Sequence, residues 1–306
     1  MTETNTLDHE RQTLLDVPTG LLINGQWREA SGGARFAVED PATGNTLLEI
    51  ADATSDDALA ALDAADAVQA SWARTGPRER AEVLRRTFDI IVQWTEDFAL
   101  FDDLGDGQAT FRNRFLVEES VVEEFTAKFA GARSMLKPGR GTDPESTVGP
   151  LIDGEAREDV HGLVTEAISS GARVVTGGAP LEGEGYFYTP TVLADVLNDA
   201  EILTKEIFEP VAPITTFSTE DHAIRLANAT EYGLAAYVYT RDHNRLLGVA
   251  EQIEYGMVGF NAGVISNAAA PFGGVKQSGL GREGGSEGIS EYTATQSIAI
   301  ADPYAE

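Results

Sequence analysis

The sequence predicts an α/β fold. From Val117 to Asn261, segments with the 3.6-residue apolar period of helices alternate with short apolar runs of strand length. The last such run, Gly256-Met-Val-Gly-Phe-Asn261, delivers a loop that holds Pro271 and five glycines between positions 273 and 284. Pro and Gly break helices and strands alike, so this loop must turn sharply or approach other backbone closely. With 306 residues, 42% of them hydrophobic, the chain can build one large or two modest cores.

The elements follow in order. Residues 1–18 read as a disordered lead-in. Leu21-Leu-Ile-Asn-Gly-Gln-Trp27 has the pattern of strand, Asn-Gly turn and return strand. Asp40-Pro-Ala-Thr-Gly44 is a second turn, with a strand leading out over Thr46–Ala51. Ser55 is placed to cap a helix with Asp56 and Asp57 in its first turn, and that helix is expected to bury Leu59, Leu62 and Trp72. Pro77 opens another helix, which keeps its apolar period through Ala81, Leu84, Phe88 and Ile91 to about Trp94. A helix burying Val122, Phe125 and Phe129 comes next. The following one carries Val160, Leu163, Val164, Ala167 and Ile168, and stops at Gly171. Strands are expected at Arg173–Thr176, Phe187–Leu193, Pro213–Phe217, Leu234–Thr240 and near Tyr292–Ile300, with helices near Asp221–Ala229 and Asp242–Ile253.

Charge and cysteine usage narrow the function. Fifty acidic side chains against 22 basic ones give a net charge of −28. Because the acids are spread through every periodic segment, they read as the surface of a protein adapted to high salt, where repulsion between carboxylates is screened. Such a surface argues against nucleic acid and anionic membrane as partners. The absence of cysteine excludes disulfides, zinc-thiolate sites and a thiolate nucleophile. Four histidines (His9, His161, His222, His243) fall at no metal-ligand spacing, so no metal site is expected. No run approaches the ~18 apolar residues of a membrane span, and no apolar leader opens the chain, so a cytoplasmic protein is expected.

Gly279-x-Gly281-x-x-Gly284 has the spacing of a dinucleotide fingerprint, but such a loop follows a strand, opens a helix and sits in a βαβ unit. It is therefore not read as one. Ile265-Ser266-Asn267 followed by Ala270-Pro-Phe-Gly-Gly-Val-Lys-Gln-Ser-Gly279 instead closely resembles the C-terminal signature of the aldehyde dehydrogenase superfamily. Within it the match is closest to the NAD(P)-dependent succinate-semialdehyde dehydrogenase branch. The resemblance implies an aldehyde dehydrogenase-like catalytic domain over 117–290 and an oligomerisation strand and tail over 291–306. It also implies that 19–95 is the N-terminal segment of a truncated cofactor domain, joined at a deletion junction over 96–116. With the intervening segment missing, Leu59, Leu84 and Phe88 are expected to stay in water.

By resemblance the family reaction is oxidation of an aldehyde, succinic semialdehyde or similar, to its carboxylate, with NAD or NADP as hydride acceptor. That chemistry takes a thiolate, an oxyanion hole, a general base and a held dinucleotide. The family's Gly-Gln-x-Cys cysteine, Trp-Asn-Phe-Pro asparagine, Leu-Glu-Leu-Gly-Gly glutamate and Phe-Thr-Gly-Ser loop are all absent. Two alignments of the junction stand open. In one, Gly107-Gln108 matches the nucleophile loop and Thr110 takes the cysteine position. In the other, Phe111-Arg112-Asn113 precedes a loop that is gone. Some site residues carry over by resemblance. Glu206 and Phe208 match the Glu-x-Phe pair that positions the nicotinamide ribose, although Glu209 stands where the family usually has Gly. Glu206 is equally read as one surface acid among fifty. Ser266 matches a serine contacting the substrate carboxylate, and Phe272 the aromatic lining the substrate tunnel. Two functions remain: the oxidoreductase of the family, or a non-catalytic remnant that assembles with itself or with a full-length relative.

Overall fold

The computed structural model describes residues 12–95 and 113–301. Thr110, most of the junction and the start of the lead-in lie outside them; Gln12–Leu15, part of the stretch read as disordered, form one helical turn. The chain forms two compact units, one of Met1–Phe115 with Glu123–Thr215, the other of Leu116–Val122 with Thr216–Glu306.

In the first unit, β1 (Leu21–Ile23) and β2 (Gln26–Arg28) pair antiparallel with Ile23 opposite Gln26. Asn24 (φ 51°) and Gly25 (φ 73°) are both left-handed, as a two-residue hairpin turn requires. A second hairpin, β3 (Arg35–Asp40) and β4 (Asn45–Ala51), turns over Pro41–Gly44. It is fastened to distant chain: Tyr186 donates its backbone N–H to the Pro41 carbonyl (2.8 Å) and its hydroxyl to Glu39 (2.6 Å), and Arg140 pairs with Asp40 at 3.0 Å. The bond to Glu39 raises the pKa of the Tyr186 phenol, with burial adding to the shift.

Helix α1 (Ser55–Arg74) is capped by Thr54 rather than Ser55. The Thr54 hydroxyl accepts from the Asp57 N–H, and the Asp57 carboxylate accepts from the Thr54 N–H in return, a capping box. The same buried carboxylate accepts from Ser31, through backbone and hydroxyl, and from Arg28. Hydrogen bonds from Ser31 and Thr54 hold Asp57 far below the usual carboxylate range. A depressed folded value stabilises the fold in full above the unfolded pKa of ~3.9, and that contribution fades as pH falls from there through the folded value. Asp57→Ala is accordingly expected to lower Tm by roughly 5 °C at neutral pH. Melting curves at stepwise lower pH should show this gap narrowing only below about pH 4.

The apolar faces of the first two helices are not buried. In α1, Leu59, Leu62 and Trp72 are 58%, 64% and 41% exposed, against the expectation from its period. Helix α2 (Pro77–Gln93) begins with Pro77, whose missing N–H costs nothing there, and buries none of its residues. Leu84 and Phe88 lie in water, as the sequence led us to expect. Amphipathic period fixes which residues share a face; burial needs a second surface.

That second surface exists further on. A four-stranded sheet has the order β5-β8-β7-β6, with β5 Phe115–Glu118, β6 Arg173–Thr176, β7 Thr191–Ala194 and β8 Val211–Phe217. Strand β7 runs antiparallel to β6 and parallel to β8, and all four of its residues are buried, the pattern of a central strand. It begins later than the sequence suggested. Helix α3 (Val122–Arg133) buries Thr126 and Ala130 and leaves Phe125 and Phe129 half-buried, stacked at 5.4 Å, with Phe115 4.8 Å from Phe129. Helix α4 (Gly154–Ser169) turns Val160, Val164 and Ala167 inward onto Leu151, Tyr188, Leu193, Ile202 and Val211. It stops where expected, the Ala172 N–H reaching back to the Ala167 carbonyl.

In the second unit, α5 (Glu220–Asn228) leads to β9 (Tyr232–Gly233), and β10 (Ala235–Val238) is joined through α6 (His243–Ala250) to its parallel partner β11 (Met257–Phe260). A short β12 (Val275–Lys276) pairs with β9. Among the described residues none beyond Tyr292 is in a strand: a 3-10 helix spans Glu287–Tyr292, and Ile298 and Ile300 are exposed. The strand expected near Tyr292–Ile300 is therefore not formed among the described residues. No described helix is long and apolar enough to cross a membrane.

Candidate functional site

Two loops carry the residues singled out by the sequence, one in each unit. The first is Lys205–Pro210, between the 3-10 turn Glu201–Leu203 and β8. Ile207 is 5% exposed and belongs to the core, which sends its neighbours Glu206 and Phe208 outward. Phe208 is 70% exposed and sits at φ 54°, a left-handed backbone unusual for a bulky residue. Asn113 grips this loop. Its side-chain nitrogen donates to the Lys205 carbonyl (2.5 Å), and its side-chain oxygen accepts from the Ile207 N–H (2.6 Å). Beside the loop lies a cleft of about 600 Å³ whose lining includes Glu158, Glu166, Glu201, Glu206 and Glu209, with Lys205 among them.

The second loop follows β11. Asn261 ends that strand as a brace: at φ 51°, its side chain accepts from the Thr240 N–H (3.0 Å) and donates to the Thr240 carbonyl (2.9 Å). Ser266 is exposed, and Phe272 is 37% exposed while its backbone exchanges two 2.7 Å hydrogen bonds with Glu283. The glycines are explained by close approach of backbone: a Cβ on Gly256 would run into the Gly273 carbonyl, and one on Gly273 into the Gly281 carbonyl. Among the described residues a 3-10 helix, and no α-helix, follows Gly279–Gly284, unlike the setting of a dinucleotide fingerprint.

Two cations that sequence reasoning did not single out hold this loop. The Lys276 ammonium donates to the carbonyls of Asn228 (3.0 Å) and Thr230 (3.1 Å) and pairs with Glu254 at 2.5 Å. The Arg282 guanidinium donates to the carbonyls of Gly274 (2.7 Å), Leu280 (3.1 Å) and Gly281 (2.8 Å). A signal was available: basic residues are scarce in this chain, and a Gly-rich loop leaves carbonyls without helix or sheet partners.

The aldehyde dehydrogenase family model matches residues 27–111 and 104–298, two stretches that together span most of the chain. The chain belongs to the aldehyde dehydrogenase family. Its two matched stretches overlap at residues 104–111. A succinate-semialdehyde dehydrogenase of Paenarthrobacter nicotinovorans is 73% identical over 195 residues, which cover 64% of this chain and 43% of that protein. A glutarate-semialdehyde dehydrogenase of Pseudomonas putida is 46% identical over 189 residues, covering 62% of this chain and 39% of that protein. The chain thus spans less than half the length of these curated relatives. A crystal structure of succinate-semialdehyde dehydrogenase from Burkholderia pseudomallei superposes with a TM-score of 0.79 at 27% identity, over 88% of this chain and 95% of that one. The aldehyde dehydrogenase-like α/β architecture is therefore established.

Proposed function

We propose that this aldehyde dehydrogenase family chain does not oxidise aldehydes by itself, and that its two loops act as binding elements in an assembly with itself or a full-length relative. The observation that carries this reading is the absence of any cysteine. Family chemistry begins with a thiolate attacking the aldehyde carbon, because a thiol is partly ionised near neutral pH and strongly nucleophilic when ionised. A threonine hydroxyl such as that of Thr110 needs an adjacent base and an oxyanion hole, and the sequence offers neither beside it.

Glu206 and Phe208 fit the ribose end of a nicotinamide dinucleotide. The Glu206 carboxylate is exposed and, among the described residues, makes no hydrogen bond or ion pair, so both its oxygens are open to ribose hydroxyls. The exposed Phe208 ring offers a flat apolar face next to it. The bound dinucleotide would supply the hydride acceptor. Its diphosphate is less well served, since the carboxylates lining the neighbouring cleft repel anions. In the other loop the exposed Ser266 hydroxyl is free to donate to a substrate carboxylate, with Phe272 beside the same backbone turn. Both curated relatives are named for semialdehydes of dicarboxylic acids, which favours an aldehyde with a distal carboxylate as the ligand class.

The second reading is NAD(P)-dependent oxidation of succinic semialdehyde, favoured by the 73% identity to a protein named for that activity. One assay separates the two. Purified protein, shown by circular dichroism to be folded in molar potassium chloride, is mixed with succinic semialdehyde and NAD or NADP. No growth of absorbance at 340 nm is expected. Steady turnover above a heat-denatured control would overturn the non-catalytic reading and make Thr110→Ala the next variant.

A further inference from the structure

We infer that Asn113 is a positioning residue, which fixes the Lys205–Phe208 loop so that Glu206 and Phe208 face a nicotinamide ribose. The inference rests on the ribose-binding reading above and adds a residue 92 positions before Lys205 in sequence that acts on the loop backbone. Its geometry is specific. The Lys205 carbonyl and the Ile207 N–H flank Glu206, so one carboxamide holds the peptide units on both sides of that residue. A primary carboxamide presents one donor and one acceptor side by side, which matches a carbonyl and an N–H two residues apart.

The grip has consequences in both directions along the loop. The Ile207 side chain is buried in the core and anchors the loop from below, while Asn113 anchors its backbone. Between these two fixed points Glu206 can only project outward. Immediately after them Phe208 adopts φ 54°, a conformation unfavourable for an unconstrained L-residue that persists only where its surroundings over-determine it. The Val211 N–H closes the far side on the Glu209 carbonyl at 2.6 Å. Among the described residues the Ile207 N–H has no acceptor besides Asn113, so without it the left-handed turn loses its restraint.

The test uses the full chain in molar potassium chloride, with Asn113→Ala, Asn113→Asp and Glu206→Gln beside the parent. Amide exchange of peptides covering 204–211 is read by mass spectrometry, together with NADH binding by fluorescence. Asn113→Ala is expected to speed exchange at Ile207 by on the order of tenfold, leaving the core strand Thr191–Ala194 unchanged. Asn113→Asp keeps the acceptor for Ile207 but turns a negative oxygen on the Lys205 carbonyl, so its exchange should fall between the two. NADH binding should weaken in Asn113→Ala about as much as in Glu206→Gln. Unchanged exchange at Ile207 would overturn the inference, as would acceleration spread equally over Thr191–Ala194, which would mark a merely structural residue. So would weaker NADH binding in Glu206→Gln alone. If the parent binds no NADH, the ribose-binding reading fails, and with it the ribose-facing part of the inference, while local exchange still decides whether Asn113 sets the loop.

Discussion

Gly256→Ala should destabilise residues 216–306 by about 3 kcal/mol, whereas Gly162→Ala should stabilise the first unit by ~0.5–1 kcal/mol. The same methyl group has opposite effects because of what it meets. At Gly256 a Cβ is driven into the Gly273 carbonyl and toward Gly274, all of it backbone, and no flexible side chain is present to yield. The strand β11 and the loop after it would have to separate, and the ties that Lys276 and Arg282 make to that loop would be strained with them. At Gly162, inside α4, nothing lies within 4 Å, so the added methyl only reduces the freedom of the unfolded chain. Urea unfolding of the two variants, followed by tyrosine and tryptophan fluorescence, gives both signs in one experiment. A Gly256→Ala variant as stable as the parent would mean that the Gly-rich loop does not pack on β11.

Leu193→Ala is expected to cost ~2–5 kcal/mol, and Phe88→Ala less than ~0.5 kcal/mol. From sequence alone both are large apolar residues within periodic elements, Leu193 in an expected strand and Phe88 on an apolar helix face expected to stay in water. In the structure Leu193 is 0% exposed among Tyr188, Ile202 and Val211, so truncation leaves a cavity. Phe88 is 58% exposed and loses mainly contact with water and with the Arg85 guanidinium above its ring. Chemical denaturation of the two variants measures the contrast directly. It also tests the proposal that 19–95 is a weakly held remnant while the core lies within 117–290: a Phe88 penalty matching that of Leu193 would show that α2 is packed against a partner surface in solution.

These two residues also show what the sequence revealed and what it withheld. Elements were legible where local chemistry decides them: the Asn24-Gly25 turn, the start of α2 at Pro77, the stop of α4 at Gly171, the strand that ends on Asn261. The α/β class and the family followed from their order and from the Gly-rich signature. Burial in α1 and α2 was not legible from periodicity, because a period records that a face is apolar and not whether another element arrives to cover it. The cap of α1 fell on Thr54 rather than Ser55 because Asp57 reciprocates with Thr54, a pairing three residues apart that also recruits Ser31 and Arg28 from the hairpin before it. Glu206, Phe208, Ser266 and Phe272 were found through family resemblance, and the structure places each at an exposed position on a constrained loop. Asn113, Lys276 and Arg282 were missed for one reason: all three act on backbone groups far away in sequence or hidden within a loop, and backbone carbonyls leave no mark in a sequence.

The uncovered faces of α1 and α2 acquire a colloidal meaning beside the chain's −28 charge. Apolar stripes of this kind draw molecules together over a few ångströms, while like charge keeps them apart over the Debye length, about 30 Å in dilute buffer and only ~3 Å at molar salt. Ionic strength therefore acts on this protein in two opposed ways: it relieves repulsion within each molecule and removes the barrier between molecules. Its solubility is accordingly expected to be limited at low salt by repulsion among carboxylates and at high salt by contact between helix faces.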